Sequence, residues 1–272
     1  NLYFSQKNGQ NFWGINWKFK IDIKMIKQAV ILAGGKGLRL LPLTKKIPKP
    51  MAPINNIPFL SYLIFSLKKR GIKKVLILVG YKARKVIEFY SSNKNIPINF
   101  CFSSPKSNTG KRVLDAYKLL DKEFLLLYGD NFWSPNINKI YNKFKKNKAC
   151  ISTTVFNNKF GTGEYGKENN VRVRKNSFVE KYDKSRKDEK LNGVDIGFFI
   201  VQKQFLKLFK DKNTNYSFEN DILTKAVELK TLVAYKTDQQ YFSITNLKML
   251  KKFEITSKKL NLNYIKWCKI FI

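Results

Sequence analysis

The stretch QAVILAGGKGLRLLPLTKKIPKP, residues 28–50, decides how this chain folds. A continuous apolar run of strand length breaks into Gly34, Gly35 and Gly37, and Lys36, Arg39, Lys45, Lys46 and Lys49 follow. An apolar run this short, stopped by glycine, reads as a strand buried on both faces. Glycines directly after such a strand let backbone N–H groups approach a ligand at the carboxyl edge of the sheet, where open α/β sheets bind ligands. Arg39 adds a planar fork and Lys49 a point charge, both suited to phosphate oxygens. Two well-known phosphate loops do not fit. A P-loop needs G-x-x-x-x-G-K-[ST], with its hydroxyl for magnesium, but Leu38 follows Gly37. A dinucleotide turn needs G-x-G-x-x-G and an acid ending the next strand, and VLILVGYK has none.

Outward from this loop, strand-like and helix-like segments alternate. IPFLSYLIFSLKKRG is helical in spacing and closed by Gly71; KKVLILVG is a second buried-type strand; KARKVIEFYSS is helical. PINFCF, GKRVLDAYKLL, EFLLLYGD and NINKIYNKFKKN continue as strand, helix, strand and helix. Fully apolar strands alternating with helices predict βαβ crossovers and a parallel sheet covered on both faces. After Cys150 the pattern changes: CISTTVF, NVRVR, SFVEKY and VDIGFFIV are strands separated by polar loops. Helices return in KQFLKLF and ENDILTKAVELK, followed by strand LVAYKT and a helix from about Leu247. No Pro/Gly/Ser-rich connector separates the halves, so one continuous domain is expected, with YDKSRKDEK as a loop. Residues 1–24, which begin with a remnant-like NLYFSQ, read as a tag or upstream segment before Met25, and residues 261–272 as a tail.

Of 272 residues, 53 are Lys or Arg and 19 Asp or Glu, a net charge of +34. Such a field attracts polyanions: nucleic acid, anionic membrane or phosphorylated small molecules. The lysines, however, are spread along the whole chain among Asn, Ile and Phe, as in the drift of an AT-rich genome. No zinc-finger spacing or RNP-like strand accompanies them, so nucleic-acid binding rests on charge alone. No run approaches the ~18–20 apolar residues that span a bilayer, and no membrane partner is expected. Cys101, Cys150 and Cys268 lie far apart without metal-ligand spacing and read as thiols of a reducing cytoplasm. The absence of histidine removes His-based triads, His-liganded zinc and any imidazole base.

LAGGKGLRLLPLTKKIPKPMAPINNIPFL resembles the L-A-G-G-x-G-[TS]-R-L-x-P-L-T…P-K-P-[ML] signature of sugar-1-phosphate nucleotidyltransferases. The similarity runs on through IKKVLILVGYK, EFLLLYGDN, Tyr165-Gly166, FVEKYD and VDIGFFIV, from about Lys27 to Leu260, and PKPMAPINNIPFL is most similar to the heptose-1-phosphate guanylyltransferase branch. TGKR…LLLYGD also resembles cytidylyltransferases. The resemblance implies a Rossmann-like mixed, mainly parallel sheet between helices in one domain, with a nucleotide-binding half over residues 25–150 and a sugar-binding half over 151–260. It implies transfer of a nucleotide from an NTP to a sugar 1-phosphate, with Mg2+ as cofactor, toward surface polysaccharide; self-association stays open.

Residue by residue, the resemblance implies that Ala33, Gly34, Gly35, Lys36 and Gly37, with Thr109 and Gly110, bind the nucleotide. Arg39 would hold the triphosphate and the leaving pyrophosphate, and Lys49 would reach the phosphates near the reacting centre. Asp130 would bind magnesium, or merely cap the next helix. Gly166, Glu180, Lys181 and Asp195 would face the sugar, with Lys181 neutralising its phosphate; Glu180–Lys181 as a surface pair and Asp195 as a satisfied buried acid are the plainer readings. Glu219 and Asp221 read as acids at a helix start. Three departures stand out. Leu38 replaces the usual Thr or Ser, SNTGKRV replaces L-G-T-[GA]-x-A, and Ser243 stands where the family supplies a second magnesium carboxylate. Asp130 would then work with phosphate oxygens and water, another acid such as Asp195 would substitute, or catalysis would be impaired. The chemistry needs no general base, because a phosphate monoester with its second pKa near ~6 is already anionic at neutral pH. A catalytically degenerate sensor of nucleotide or sugar phosphate is the alternative of another class.

Overall fold

Strands β1 (Gln28–Leu32), β2 (Lys74–Val79), β3 (Ile98–Phe102), β4 (Glu123–Tyr128), β5 (Ile151–Phe156), β6 (Val194–Gln202) and β7 (Leu232–Thr237) form one sheet in the order β3-β2-β1-β4-β6-β5-β7. β1 pairs in parallel with β2 and β4, β2 with β3, and β5 with β7. β6 runs antiparallel to both β4 and β5, which makes the sheet mixed. The computed structural model describes residues 26–92, 96–211 and 213–259; the expected upstream segment, Met25, Cys268 and the tail 261–272 lie outside the described residues.

The apolar strands supply two cores by simple alternation. Ala29, Ile31, Ile77, Leu125 and Leu127 face one side, packed under α1 (Phe59–Lys69), α2 (Ala83–Tyr90), α4 (Ile137–Lys146) and α6 (Leu247–Lys259) through Phe59, Val86, Phe144 and Phe253. Val30, Leu32, Leu76, Leu78 and Leu126 face the other, under α3 (Thr109–Asp115) and α5 (Thr224–Glu228) through Val113, Ala116 and Ala226. Each fully buried Leu or Ile contributes about 1.5–3 kcal/mol over an exposed one; β5 departs from the apolar pattern, with Ser152, Thr153 and Thr154 fully buried.

Two expected helices differ in kind. KQFLKLF forms a 3₁₀ run, Lys203–Leu208, and ENDIL opens as a π-helical turn, Phe218–Leu223, before α5 begins. Ser217 caps that turn by accepting from the Asn220 N–H, and Asp221 accepts from the Ser217 N–H at 2.6 Å, the role expected of a helix-start acid. From β1 the chain builds outward through β2 to β3, then returns to place β4 on the other flank of β1. The reversal leaves a crevice at the carboxyl ends of β1 and β4, the position at which doubly wound sheets bind ligands.

Candidate active site

Both strands end in glycine segments that lie against each other. The Gly129 N–H donates to Leu32 O at 2.9 Å and the Ala33 N–H to Leu78 O at 3.0 Å, so the loop after β1 starts at the crevice. A side chain at Gly129 would meet Leu32 O at 2.8 Å, which keeps Asp130, the next residue, close to β1. Gly37 adopts φ +64°, a left-handed conformation that favours glycine, and a Cβ there would also lie 2.8 Å from Lys49 Cβ. That close approach brings Lys49 back after two short 3₁₀ turns, at the start of a third. Lys49 is buried (8% exposed) and its ammonium donates to Asp130 Oδ2 at 2.6 Å, while the Asp130 side chain stays 31% exposed.

These groups line a cavity of about 600 Å³ together with Ala33, Gly34, Gly35, Lys36, Gly37, Arg39 and Thr109. Gly110 is buried behind Thr109, where a side chain would collide with Tyr216 O at 2.8 Å. The far wall holds Glu219, expected only as a helix-start acid, and Arg112, to which the sequence assigned no role. Glu219 is turned inward: Thr109 Oγ1 donates to its Oε2 at 2.7 Å, Ser217 Oγ to the same oxygen at 2.8 Å, and the Tyr128 hydroxyl to Oε1. Burial disfavours its charge, but the bonds from Tyr128 and Thr109 outweigh this and hold the carboxyl below its usual range. Arg112, from α3, lies buried beneath the glycine loop, and burial lowers its pKa. The sequence carried one signal for it: SNTGKRV puts Arg112 where the resembled pattern ends in alanine.

The second half of the chain reaches the glycine loop through Arg39. Its guanidinium donates to the Tyr165 hydroxyl and lies 3.6 Å from Glu164 Oε1. Arg186 stacks on the Tyr165 ring at 4.1 Å. Gly166, beside it at φ +64°, has nothing within 4 Å of where a Cβ would stand, so its face is open.

None of the residues expected at the sugar, Gly166 included, lines that cavity. Lys181 is exposed and paired with Asp188 at 2.8 Å, which raises its pKa. Glu180 is held by Arg172 at 3.0 Å and Arg174 at 3.1 Å and lines a different cavity of about 280 Å³. Asp195 accepts from Thr153 Oγ1 at 2.9 Å, the Gly197 N–H at 2.9 Å and the Tyr182 hydroxyl at 3.1 Å, yet burial pushes its carboxyl up to about 6. Ser243 is buried, pairs through its backbone with Asn131, and turns its hydroxyl to Met249 Sδ at 3.1 Å.

The sequence pattern that describes nucleotidyl transferases matches residues 28–268. The chain belongs to the nucleotidyl transferase family. This transferase is 32% identical over 206 residues to the D-glycero-alpha-D-manno-heptose 1-phosphate guanylyltransferase of Campylobacter jejuni, covering 75% of the present chain and 88% of that one. It is 29% identical over 220 residues to the same-named protein of Aneurinibacillus thermoaerophilus, covering 80% and 92%. Its fold matches the crystal structure of HddC from Yersinia pseudotuberculosis with a TM-score of 0.68 at 22% identity, covering 85% of the transferase and 99% of that chain. Among the described residues, no helix is long and apolar enough to cross a membrane.

Proposed function

We propose that this transferase moves a nucleoside monophosphate from an NTP to a sugar 1-phosphate, releasing pyrophosphate and making a nucleotide sugar for surface polysaccharide. The observation that carries this is the convergence of the glycine loop, Arg39 and the Lys49–Asp130 pair on one cavity at the reversal point of the sheet. The two heptose-1-phosphate guanylyltransferases to which the chain is similar support GTP and a heptose 1-phosphate as substrates. The backbone of residues 33–37 would lie along the nucleotide. Arg39 would exchange its bond to Tyr165 for the β- and γ-phosphates and the departing pyrophosphate, and Lys49 would neutralise charge at the α-phosphate. The task is to hold two polyanions in line and compensate charge as one leaves. Lys181 would leave Asp188 for the sugar phosphate, with Gly166 against the sugar ring and Asp195 toward its hydroxyls; Glu180, tied to two arginines, would act from behind Lys181.

The acid set suits magnesium carried in with the nucleotide. Among the described residues no cluster of three or more metal-ligating side chains exists, and Ser243 offers no carboxylate. Magnesium keeps several waters and binds through one or two carboxylates plus substrate phosphates, which Asp130 can satisfy alone. Bound there, it would supply further positive charge against the phosphate oxygens. The test is pyrophosphate release with each NTP against a set of sugar 1-phosphates. Turnover with at least one pair, lost in Arg39→Ala and Asp130→Ala, supports the reading. Nucleotide-induced thermal stabilisation with no turnover for any pair would replace it with a sensor.

A further inference from the structure

Arg112 lines the cavity, is 3% exposed and has no part in this account. Among the described residues its side chain bonds to carbonyls: Nη1 to Val79 O at 3.4 Å and Ser103 O at 3.5 Å, Nη2 to Ser104 O at 3.0 Å. The acid of its own helix, Asp115, is taken by Lys111 and by Ser103 Oγ at 2.8 Å. A buried guanidinium without its own carboxylate is costly to keep, so its placement needs a reason. Val79 ends β2, and Ser103 and Ser104 follow β3. The guanidinium also lies against Gly34 after β1 and Gly80 after β2. A Cβ at either would collide with Nη1, and would stand 2.6 Å (Gly34) or 3.1 Å (Gly80) from Cζ. Gly34 O accepts from the Tyr81 N–H at 2.9 Å, which joins the two glycine segments directly. One side chain rooted in α3 therefore wedges the carboxyl ends of three neighbouring strands at a fixed spacing. It also explains why KKVLILVG ends in glycine: only a residue without a side chain leaves room for the wedge.

The wedge supports a row of free donors. Among the described residues the N–H groups of Gly34, Gly35, Lys36 and Gly37 meet no backbone acceptor, and all four residues line the cavity. Successive free N–H groups form an anion-binding concavity only while the backbone keeps their directions. At its far end the row is tied through Gly37 O, which accepts from the Leu40 N–H at 3.0 Å and from Thr44 Oγ1 at 3.1 Å. At its near end, Gly34, it rests on the guanidinium. We propose that Arg112 is a positioning residue: seated against Gly34 and Gly80, it holds the N–H groups of residues 34–37 in the geometry that meets the nucleotide's phosphates. The proposal rests on the nucleotidyl-transfer reading for the identity of that ligand. A planar fork is needed for the task, because a lysine ammonium cannot span the carbonyls of Val79, Ser103 and Ser104 at once.

The test reads nucleotide affinity, kinetics and stability separately on the intact chain. GTP dissociation constants come from calorimetry, kinetic constants from pyrophosphate release with GTP and a heptose 1-phosphate, and Tm from thermal denaturation. Two variants reach the wedge from opposite sides. Arg112→Lys removes the fork, whereas Gly80→Ala keeps it and pushes it off its seat. Both should raise the Kd for GTP about 10- to 100-fold, the scale of an ~1 Å misplacement, while the KM for the sugar phosphate at saturating GTP stays within about threefold. A merely structural role would instead lower Tm and the active fraction, seen in kcat, and leave the Kd of the folded protein unchanged; that result overturns the proposal. An equal loss of affinity for GTP and for the sugar phosphate overturns it too. Should Arg112→Lys not fold, Gly80→Ala decides by the same criteria. Absence of GTP binding to the unaltered protein removes this proposal, whereas GTP binding that depends on the wedge, with no turnover on any sugar phosphate, leaves it standing and removes the transfer reading.

Discussion

Replacing Lys49 by methionine keeps the aliphatic stem and removes the charge that faces Asp130. In the structure Lys49 Nζ lies 2.6 Å from Asp130 Oδ2, with the lysine side chain 9% and the aspartate side chain 31% exposed. Breaking a fully buried pair costs about 3–5 kcal/mol and an exposed one about 0–1. Asp130 opens onto a wet cavity, so the structural cost should be about 1–2 kcal/mol, a fall in Tm of roughly 2–8 °C. The catalytic cost should be larger. A preorganised positive charge aimed at developing phosphate charge is worth about 2.7–4 kcal/mol, or 10²–10³ in kcat. The assay is pyrophosphate release at 25 °C, well below unfolding, alongside thermal denaturation of the same samples. Asp130→Asn and the double variant complete the cycle. If the two residues form one charge-handling unit, the double variant should lose little more activity than either single one. A Lys49→Met enzyme with kcat within about fivefold of the unaltered protein would show that the ion pair is structural and refute this placement of the reacting centre.

Other outcomes follow from the same geometry. Arg39→Ala should leave Tm within about 2 °C, because the side chain is 60% exposed, but lower kcat/KM at least 100-fold by removing a pyrophosphate contact; unchanged kinetics would place the triphosphate elsewhere. Asp195 carries a carboxyl raised by burial to about 6, so its favourable contribution is complete at acid pH and is lost as pH rises from about 4 through 6. Asp195→Asn should therefore gain relative to the unaltered protein across that window. The gain should be about 2 kcal/mol, less than the ~2.7 of two pH units because the residue is partly exposed; urea unfolding at pH 4.5 and 7 reads it, and a pH-independent difference contradicts it. Gly34→Ala should destabilise by about 1–3 kcal/mol by driving a methyl into Arg112, whereas Gly35→Ala, with nothing within 4 Å, should change Tm by under about 2 °C.

The nucleotide-facing half was largely legible in the sequence because its strands are buried on both faces. QAVIL, KVLILV and EFLLLY admit no polar alternation, and each ends in glycine at the crevice. The antiparallel course of β6 was not legible, since VDIGFFIVQ looks the same whichever way it pairs. Lys49 and Asp130 could be matched to roles but not to each other: they stand 81 residues apart, and only folding shows the 2.6 Å contact. Glu219 was read as a helix-start acid, and its neighbour Asp221 does take that role. The π turn rotates Glu219 inward instead, and no periodicity in SFENDIL announces it. GEYG likewise gives no hint that Tyr165 meets an arginine 126 residues away.

The central claim is nucleotidyl transfer to a sugar phosphate, and following labelled phosphorus tests it most directly. With a heptose 1-phosphate and GTP labelled at either the α- or the γ-phosphate, α-label should appear in the nucleotide sugar and γ-label in pyrophosphate, both abolished by Arg39→Ala. Label from the γ-position on the sugar, or its release as inorganic phosphate without any α-labelled sugar product, would contradict the account.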